Sequence, residues 1–463
     1  MDHEEIEKLY EEAGHWDVNL GEETIHAKRI QGQFRRIKWY VASIYLLYFL
    51  GPYLRWDGRQ AILFDIPARK NYLFGITIWP QDVWMLSLVL LTFFIALFTA
   101  TALAGRVFCG YICWQTVWVD VYTWIEEKLE GHPAQRRALD KAPWSLRKFR
   151  IKAVKHSIWL TLSALTGITF TAYFTDAYGM WRDYFSLQGS FYIWVTPLPF
   201  LIGSYIGVGF MREQICFWLC PYARIQGVMT DPESILPAYD KGRGEPRGKI
   251  SRDGSTKGDC IDCNLCVAVC PMGVDIRYGQ QEGCITCGLC LDACDSVMEK
   301  VGRPTGLIRY MALVESGGKA RLNILKRPRM MIYILILAGA MAGVVYGLVN
   351  LTPMKLTVIH DRQPLYIMLS DGSIQNGYTV KILNKTDNAA TFKLSVSGVK
   401  DASVELLNEN TTAPAGKMLT LTARVKVGAD DAPKGVGSIL FRVYSDGNPA
   451  LDATYGSSFV GPK

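Results

Sequence analysis

The amino-acid sequence predicts a multi-domain membrane protein with an α-helical transmembrane bundle, a cysteine-rich α+β domain and a C-terminal immunoglobulin-like β-sandwich. Three observations predict this organisation. Long apolar segments recur up to residue 351, eight of the twelve cysteines fall in two runs of equal spacing, and the cysteine-free last third alternates short strand patterns with turn signals. At 463 residues, the chain is also too long for one ordinary domain.

Five apolar segments are about 20 residues long, the length that crosses the hydrocarbon core as a helix. Prolines interrupt the first and the fourth of them, and the stretch 61–80 is broken by proline and charged residues, so we expect that stretch to be interfacial or re-entrant. A hydrophobic content of 49% and a mean hydropathy of +0.10 agree with a chain that lies partly in lipid. The predicted spans are 37–53, 83–103, 157–174, 191–210 and 330–351.

Basic residues predict the orientation of these spans. They are concentrated before the first span, between the second and third, and between the fourth and fifth, whereas Arg182 is the one arginine between the third and fourth. The positive-inside rule then places the N-terminus and the cysteine-rich region in the cytoplasm and the C-terminal domain outside. The net charge of +7 therefore reflects membrane topology, and no nucleic-acid partner is expected. The acidic, polar first thirty residues do not resemble a cleavable signal peptide.

Two runs of cysteines share the spacing C-x2-C-x2-C-x3-C. In bacterial two-cluster ferredoxins, three thiolates of such a run bind one 4Fe-4S cluster and the fourth binds the other cluster. A disulfide framework or a zinc ribbon would not require a doubled run with exchanged fourth ligands. A proline usually follows the last cysteine of such a run, as Pro271 does, but Asp295 follows Cys294. This difference changes the exit of the loop and removes no ligand. We assign Cys260, Cys263, Cys266 and Cys294 to one cluster, and Cys284, Cys287, Cys290 and Cys270 to the other.

The other four cysteines form two pairs, Cys109 with Cys113 and Cys216 with Cys220. Each pair has i, i+4 spacing, which on a helix places both thiols on one face, and each follows the cytoplasmic end of a predicted span. Buried packing is the alternative interpretation, but packing alone does not require the same spacing twice. Soft thiolates select Cu(I), zinc or iron–sulfur species, and adjacent thiols also exchange with a disulfide. The pairs therefore predict a redox-active site at the membrane surface, with metal binding and dithiol chemistry both open.

One histidine, His156, lies at the same predicted membrane depth as the cysteine pairs, at the start of the third span. Imidazole serves copper and iron as a ligand, so a metal or quinone role is one hypothesis for this residue. The alternative is an ordinary hydrogen-bonded residue at a helix entrance.

The last 110 residues or so have the pattern of a β-sandwich. Short alternating segments are separated by turn signals such as Asp371-Gly372 and Asn376-Gly377. The region has no cysteine, so we expect docking or assembly there and no catalysis. The predicted strands are 356–359, 378–383, 390–396, 403–407, 418–427 and 438–444.

Together these features divide the chain into five parts. The ferredoxin domain contains both cysteine runs, and the cysteine pairs lie in the membrane region before it. The parts are a cytoplasmic N-terminal segment (1–36), a four-helix membrane region (37–230), a cytoplasmic two-cluster ferredoxin domain (231–328), a fifth transmembrane helix (329–352) and an outer immunoglobulin-like sandwich (353–463).

The combination resembles the FixG/CcoG family over nearly the full length. The resemblance rests on the segment Cys109 to Val117, the Cys216 to Pro221 segment, the two-cluster ferredoxin and the outer β-sandwich. Trp114 stands where relatives usually have proline. This resemblance implies an accessory protein of the cbb-type cytochrome c oxidases in the bacterial inner membrane, a cupric reductase that converts Cu(II) to Cu(I) for the oxidase's copper centre.

The resemblance also implies the partners and the roles of the residues. Two 4Fe-4S clusters are the cofactors and copper is the substrate, with the two cysteine pairs as the catalytic and copper-binding residues. The expected partners are the cbb-type oxidase with its copper-assembly factors, an unidentified electron donor, membrane lipid and a second copy of the chain in a homodimer. The alternatives are a quinol-linked electron-transfer subunit of the NapH or NosR type and a non-enzymatic assembly scaffold. No glycine-rich nucleotide fingerprint is present, so we expect no direct hydride transfer from a nicotinamide.

Overall fold

The computed structural model describes residues 25–249, 258–281, 283–312, 327–350, 352–386, 388–407 and 410–462. The chain divides into two compact units, Met1–Val344 and Val345–Lys463. The predicted N-terminal segment is thus described from residue 25 onward. Within the predicted ferredoxin domain, residues 250–257, 282 and 313–326 lie outside the described residues.

The first unit is mainly helical. Its α-helices up to the ferredoxin region are α1 (Gln33–Ala42), α2 (Tyr45–Leu50), α3 (Val83–Ala104), α4 (Val107–Tyr111), α5 (Trp114–Glu130), α6 (Pro133–Lys141), α7 (Leu146–Ala172), α8 (Ala177–Ser186), α9 (Phe191–Val195), α10 (Pro197–Ile206) and α11 (Pro221–Met229). Two π-helical turns, Gly207–Met211 and Ile215–Leu219, separate α10 from α11.

Three helical segments among the described residues are long and apolar enough to cross a membrane. They are Val83–Ala104, Phe191–Met211 and Pro328–Val349, with mean hydropathies of 2.4, 1.5 and 2.3. They coincide with the second, fourth and fifth predicted spans.

The first and third predicted spans have a different form. In the first predicted span, 37–53, a turn at Ser43 and Ile44 separates α1 from α2. Within α1, Lys38 is only 2% exposed and its ammonium lies 3.6 Å from the Asp120 carboxylate, so this part of the segment packs against protein. The third predicted span is the apolar second part of α7, whose first part is basic.

The stretch between the first two predicted spans is not helical. It forms an antiparallel three-stranded sheet, β3 (Ile62–Asp65), β4 (Lys70–Leu73) and β5 (Ile76–Ile78), preceded by the short pair β1 (Arg55–Trp56) and β2 (Arg59–Gln60). The Phe64 amide donates a 2.8 Å hydrogen bond to the Tyr173 carbonyl just beyond α7. The sheet is therefore held against the end of that helix.

The ferredoxin region is framed by the antiparallel strands β6 (Leu236–Tyr239) and β7 (Ile308–Met311). Between them lie the short helices α12 (Lys241–Gly244) and α13 (Leu265–Ala268) and the longer helix α14 (Leu289–Lys300). Helix α15 (Pro328–Val349) follows.

The N-terminal segment packs directly on the ferredoxin region. The Asp292 carboxylate on α14 accepts hydrogen bonds from the amides of Phe34 and Arg35, at 3.2 and 3.0 Å, and so satisfies free N–H groups in the first turn of α1. The Lys28 amide donates to the Ala268 carbonyl at 2.7 Å. The start of the membrane region is thereby anchored to the cysteine-rich region.

The second unit consists of β-strands in two main antiparallel sheets. One has the order β13-β15-β10-β8, with β9 paired to β10, and the other has the order β12-β16-β17. Tyr378 and Phe441 pack across them, with ring centroids 4.8 Å apart. The strands are β8 (Met354–His360), β9 (Ile367–Met368), β10 (Ile374–Asn384), β11 (Ala390–Thr391), β12 (Lys393–Ser397), β13 (Ser403–Leu406), β14 (Thr412–Ala413), β15 (Met418–Val427), β16 (Val436–Ser445) and β17 (Asn448–Val460).

Candidate redox site

The two cysteine runs fold into loops with the same backbone irregularities. Asp262 and Thr286, each two residues after the first cysteine of its run, have φ angles of 56° and 53°. Asn264 and Gly288, each directly after the second cysteine, have φ angles of 55° and 73°. A helix begins at the next residue in both loops, α13 and α14. The equal spacing thus produces two equivalent cysteine loops.

The first group of thiols assembles across the two runs. Burial, together with the neighbouring Cys263 and Cys260, raises the pKa of the Cys294 thiol to about 12. Burial also raises the pKa of the Cys266 thiol, with contributions from Cys263 and Cys294. Cys294 of the second run therefore lies with the first three cysteines of the first run.

The second group shows the reciprocal exchange. Burial, together with the neighbouring Cys287 and Cys284, raises the pKa of the Cys270 thiol to about 12. The four thiols of this group line one small cavity. They are Cys270, Cys284, Cys287 and Cys290.

These two groups fit 4Fe-4S clusters by their donor chemistry, since each consists of four cysteines, the ligand set of such clusters. Among the residues that the structure describes, no three histidine, cysteine or carboxylate side chains converge on a single metal ion. In a cubane cluster each thiolate binds its own iron atom, so the thiols need not converge on one point. The second group, with its four cysteines around one cavity, matches that requirement.

Asp295 occupies a different local structure from Pro271. In the first run, the short helix α13 ends at Ala268, before Cys270 and Pro271. In the second run, α14 continues through Cys294 to Lys300. A proline inside this helix would remove a backbone hydrogen bond. Instead, the Asp295 carboxylate accepts a 2.8 Å hydrogen bond from the Gly306 amide.

The prediction that each cysteine pair shares one helix face is wrong. Helix α4 contains Cys109 and ends at Tyr111, and Cys113 is the extended residue that precedes α5. In the same way, Cys216 lies in the π-helical turn Ile215–Leu219, and Cys220 is the extended residue that precedes α11. Both motifs therefore place their second thiol at a break between two helices.

The structure nevertheless brings the four thiols together. Burial raises the pKa of Cys109 and of Cys216 to about 12. Cys113, Cys216 and Cys220 contribute to this rise at Cys109, and Cys113 and Cys220 contribute to it at Cys216. We call Cys109, Cys113, Cys216 and Cys220 the thiol quartet.

Two polar residues that the sequence analysis did not single out contact the quartet. The Cys109 thiol donates a 3.1 Å hydrogen bond to the Gln226 side-chain carbonyl, and Gln226 is fully buried. The Arg106 guanidinium, 8% exposed, counteracts part of the pKa rise at both Cys109 and Cys216. Arg106 could have been predicted as a site residue from its position three residues before Cys109. No feature of the sequence pointed to Gln226.

The quartet packs directly against the second cysteine group. Cys109 belongs to the same hydrophobic core as Cys260, Cys266 and Cys287. A side-chain carbon added at Gly110 would lie 2.5 Å from the Ile285 carbonyl oxygen and 3.1 Å from the Cys287 Cα. The Tyr111 hydroxyl donates a 3.0 Å hydrogen bond to the Cys287 carbonyl. Helix α4 thus brings the quartet into backbone contact with a predicted cluster-binding loop.

His156 has aromatic neighbours. Its Nδ1 lies 3.0 Å from the Tyr205 hydroxyl, and its ring stacks on Phe210 with centroids 5.8 Å apart. Trp159 lies edge-on to it at 5.3 Å. Within the described parts of the chain, these contacts include no thiol, so the structure does not bring His156 into the quartet.

Comparison with known proteins places this arrangement in a family. A family model for a 4Fe-4S dicluster domain matches residues 211–313, a model for a 4Fe-4S binding domain matches 86–132, and a model of the immunoglobulin-like fold at the C-terminus of FixG matches 344–462. The nitrogen fixation protein FixG of Rhizobium meliloti is 40% identical over 427 residues, which cover 84% of this chain and 82% of that protein. This chain belongs to the FixG family.

Two FixG-family proteins of Cereibacter sphaeroides show similar agreement. Protein RdxA is 38% identical, with 92% of this chain and 94% of RdxA covered, and protein RdxB is 39% identical, with 88% of each covered. A crystal structure of a FixG-related protein from Vibrio parahaemolyticus aligns with 24% of this chain and 97% of its own length, at 24% identity and a TM-score of 0.22.

The family models confirm two parts of the predicted fold class. The ferredoxin-type 4Fe-4S region and the immunoglobulin-like C-terminal domain are both present. The chain is an iron–sulfur protein with a redox role, and it has helices suited to a membrane. The 4Fe-4S match at 86–132 includes Cys109 and Cys113, and the dicluster match includes Cys216, Cys220 and both cysteine runs.

Proposed function

We propose that this FixG-family chain is a membrane-bound electron-transfer protein that reduces Cu(II) to Cu(I) for the copper centre of a cbb-type cytochrome c oxidase. The observation that carries the proposal is the contact of the thiol quartet with the second cysteine group through Gly110, Tyr111 and Cys287. An electron-transfer unit is thereby placed against a set of soft copper ligands.

In this proposal the eight cysteines of the two runs hold two 4Fe-4S clusters, which supply one-electron transfer when bound. The exchanged fourth cysteines, Cys270 and Cys294, tie the two binding sites into one unit. Hydrophobic residues of the shared core, such as Ile285 and Leu289, separate the thiols from water. The electron donor is a separate redox partner.

The quartet is the proposed site of copper chemistry. Clusters held by the two cysteine runs would supply the one electron that converts Cu(II) to Cu(I), and the quartet thiolates would hold the resulting Cu(I). Thiols with a raised pKa are protonated at neutral pH, so copper binding releases their protons. Arg106 favours the thiolates electrostatically, and Gln226 fixes the position of Cys109.

The membrane arrangement is part of the proposal. The loop charges favour five spans, with the N-terminus and the ferredoxin region in the cytoplasm and the β-sandwich on the outer side of the bacterial inner membrane. On that side, the sandwich is the proposed docking surface for the oxidase and its copper-assembly factors. The domain limits 1–36, 37–230, 231–328, 329–352 and 353–463 belong to this arrangement.

A single-turnover experiment tests the copper function. Purified protein with both clusters is reduced with dithionite, freed of excess reductant without oxygen, and mixed with Cu(II) while a Cu(I)-specific chelator reports the product. We expect Cu(I) to form in proportion to the electrons stored. Cys216→Ser and Cys220→Ser should each reduce the rate at least tenfold at unchanged iron content, whereas Thr169→Ser, a conservative change at a buried position in α7, should not.

Two results would contradict the proposal in different ways. If the Cys216→Ser protein reduces Cu(II) at the normal rate, copper is not reduced at the quartet. A native protein that leaves Cu(II) unreduced but is oxidised by a quinone would favour the quinol-linked alternative. Oxidase binding without any turnover would favour the scaffold.

A further inference from the structure

A separate cavity adjoins the second cysteine group. It lies between α11, strand β6 and the loop before Cys284, and that cysteine lines it. Its volume is about 260 Å³, slightly below the ~300 Å³ at which pockets for drug-sized ligands begin. Leu236 and Pro237 of β6 form an apolar wall. No member of the thiol quartet lines this cavity, which has room for one compact ring system.

The cavity offers both hydrogen-bond donors and acceptors. Arg106 lines it, and the Nη2 of this residue donates to the Ala223 carbonyl. In the described ranges of the chain, the Nε and Nη1 of Arg106 have no acceptor, and neither is fully buried. Thr230 and the exposed Gln281 also line the cavity, and each uses its side chain as a donor elsewhere, which leaves their oxygen atoms as acceptors.

The cavity lies where a candidate membrane span ends. Helix α3 is long and apolar enough to cross a membrane, and it ends two residues before Arg106. On α11, which lines the cavity, the apolar side chains of Ile225 and Val228 are 49% and 88% exposed. Exposed apolar side chains beside the end of a span suit contact with lipid. A compound dissolved in the membrane can therefore reach this cavity.

A ligand in the cavity would contact a predicted cluster ligand. Cys284 lines both this cavity and the small cavity of the second cysteine group. Burial raises the pKa of the Cys284 thiol to about 11, and the Arg106 guanidinium opposes that rise, so its positive charge lies near the thiol. The position suits a compound that exchanges electrons with the second group.

We infer that this cavity binds the ring of a lipid-soluble hydroquinone, which is the electron donor of the chain. The use of its electrons for copper rests on the proposed function, whereas the binding site does not. The two hydroxyls of a hydroquinone donate hydrogen bonds and the two carbonyls of its quinone accept them. Both forms are matched by the donors of Arg106 and by the acceptor oxygens of Thr230 and Gln281.

The stoichiometry suits two cluster sites. Oxidation of a hydroquinone to its quinone breaks two O–H bonds and releases two electrons and two protons. The two cysteine groups, with clusters bound, would accept one electron each. The protons pass to water at the exposed rim of the cavity, which includes Gln281. A two-electron donor thereby serves two Cu(II) ions, each of which takes one electron.

Binding of menadione, a naphthoquinone without a lipid tail, tests the site without electron transfer. Isothermal titration of the oxidised, cluster-containing protein in detergent should show saturable binding. The compound 2-methylnaphthalene has the same rings but no carbonyl oxygen. It should bind at least about tenfold more weakly, because it accepts no hydrogen bond from the charged donor.

Gly227→Leu should fill the cavity. Gly227 lines it, and within 4 Å a side-chain carbon added there would meet only the Arg106 Nη2, at 3.6 Å, apart from its own helix. We expect the affinity for menadione to fall at least about tenfold. Gly203→Leu is the matched control, because Gly203 is also a helical glycine with open space and does not line the cavity. Arg106→Lys keeps the charge but removes the guanidinium donors, and should weaken binding to a similar degree.

The titrations decide whether the site exists. Saturable menadione binding that Gly227→Leu and Arg106→Lys weaken and Gly203→Leu leaves unchanged supports it. Absence of binding overturns the inference, and so does native affinity in Gly227→Leu or equal weakening by the two leucine substitutions. Equal affinity for 2-methylnaphthalene would overturn recognition of the quinone oxygens.

Reduction by menadiol, the hydroquinone of menadione, tests the donor role. Oxidised protein is mixed with menadiol without oxygen, and EPR follows the reduced iron–sulfur signal. Gly227→Leu should slow this reduction about tenfold, whereas dithionite should reduce the variant and the native protein to the same extent. Equal rates with menadiol would overturn the donor role. A protein that menadiol reduces but that leaves Cu(II) unreduced would retain the donor site and refute the copper function. Cu(II) reduction after dithionite in a protein that binds no menadione would do the reverse.

Discussion

The Tyr111 hydroxyl donates a 3.0 Å hydrogen bond to the carbonyl oxygen of Cys287, which joins the thiol-quartet helix to a cysteine loop of the ferredoxin region. Tyr310 makes an equivalent bond to the Thr286 carbonyl at 2.7 Å. The hydroxyls of Tyr111, which is buried, and Tyr310, which is partly buried, therefore hold the loop that contains Cys287 of the second cysteine group. This contact fixes the distance between the two predicted redox groups, and the following predictions probe both groups and the contact.

Tyr111→Phe should weaken this contact without removing either cysteine group. Loss of one buried hydrogen bond, with its carbonyl acceptor left unpaired, costs about 1–3 kcal/mol. We expect iron to be lost at a lower temperature on heating, while the iron content before heating stays normal. Tyr178→Phe is the control, because the Tyr178 hydroxyl bonds to Tyr53 on an exposed surface. Equal thermal behaviour of the two variants would contradict the role of Tyr111.

Gly110→Ala should separate the two redox groups. The added carbon would lie 2.5 Å from the Ile285 carbonyl oxygen, so the backbone must move, at a cost of about 1–3 kcal/mol. Stopped-flow measurement should show slower electron transfer from the reduced clusters to Cu(II). Gly203→Ala, also on a helix but with no neighbour within 4 Å, should leave the rate unchanged. A Gly110→Ala rate equal to that of the control would count against electron transfer through this contact.

Cysteine double substitutions test the exchange of the fourth ligands. If Cys294 belongs with Cys263, then Cys294→Ala and the double variant Cys263→Ala/Cys294→Ala should both lose the same cluster, about four iron atoms. The combination Cys287→Ala/Cys294→Ala should lose both clusters. Iron analysis and EPR of the reduced proteins report these contents. Additional iron loss in the first double variant but none in the second would indicate that each run binds its own cluster.

Arg277 should set the reduction potential of the first cysteine group. Burial raises the pKa of the Cys266 thiol, and the Arg277 guanidinium opposes that rise, which shows a positive charge near the group. Arg277→Gln should therefore disfavour the reduced state and lower the midpoint potential by on the order of tens of millivolts, given that ~59 mV is a tenfold change for one electron. EPR-monitored redox titration measures this shift. Arg309→Gln, at a largely exposed side chain paired with Asp240, should give no comparable shift.

The N-terminal segment should loosen in acid because of His26. Burial, followed by Arg136 and Arg212, lowers the pKa of His26 to about 4. The undocked segment binds a proton below about pH 6.5, the ordinary histidine value, whereas the docked segment does not until about pH 4. Docking should thus weaken as the pH falls from 6.5 towards 4. Hydrogen exchange at the Lys28 amide, which is bonded to Ala268, reports this change.

His26→Gln should remove most of this pH dependence, because glutamine does not titrate. His132→Gln should preserve it, since the His132 side chain is 76% exposed. The Lys28 exchange rate should change more between pH 6.5 and 4 in the native protein than in His26→Gln. An equal change in the two proteins would contradict the assignment of the pH dependence to His26.

The sequence was most informative where spacing determines chemistry. The cysteine runs predict both loops, and the structure places Cys270 and Cys294 with the opposite runs, as the exchanged assignment requires. The ligand roles themselves stay a prediction. Turn signals also located most strands of the sandwich. They missed β17, an edge strand in which few residues, among them Leu451 and Phe459, are buried, so its apolar alternation is weak.

The helix breaks at the cysteine pairs were harder to predict. Pro221 directly follows Cys220 and signals a new helix start, since proline is favoured in the first helical turn. No proline marks Cys113, where the chain leaves α4 and enters α5, and the nearby Gly110 lies inside α4 rather than at the break.

The hydrogen bonds from α1 to Asp292 have a consequence for biogenesis. Asp292 lies on α14 between two predicted cluster ligands, Cys290 and Cys294, and the free amides at the start of α1 depend on its carboxylate. Ligand binding that stabilises α14 therefore also stabilises the entrance to the membrane region. Occupation of the predicted cluster site would then also favour correct seating of the N-terminal helix during assembly of the protein.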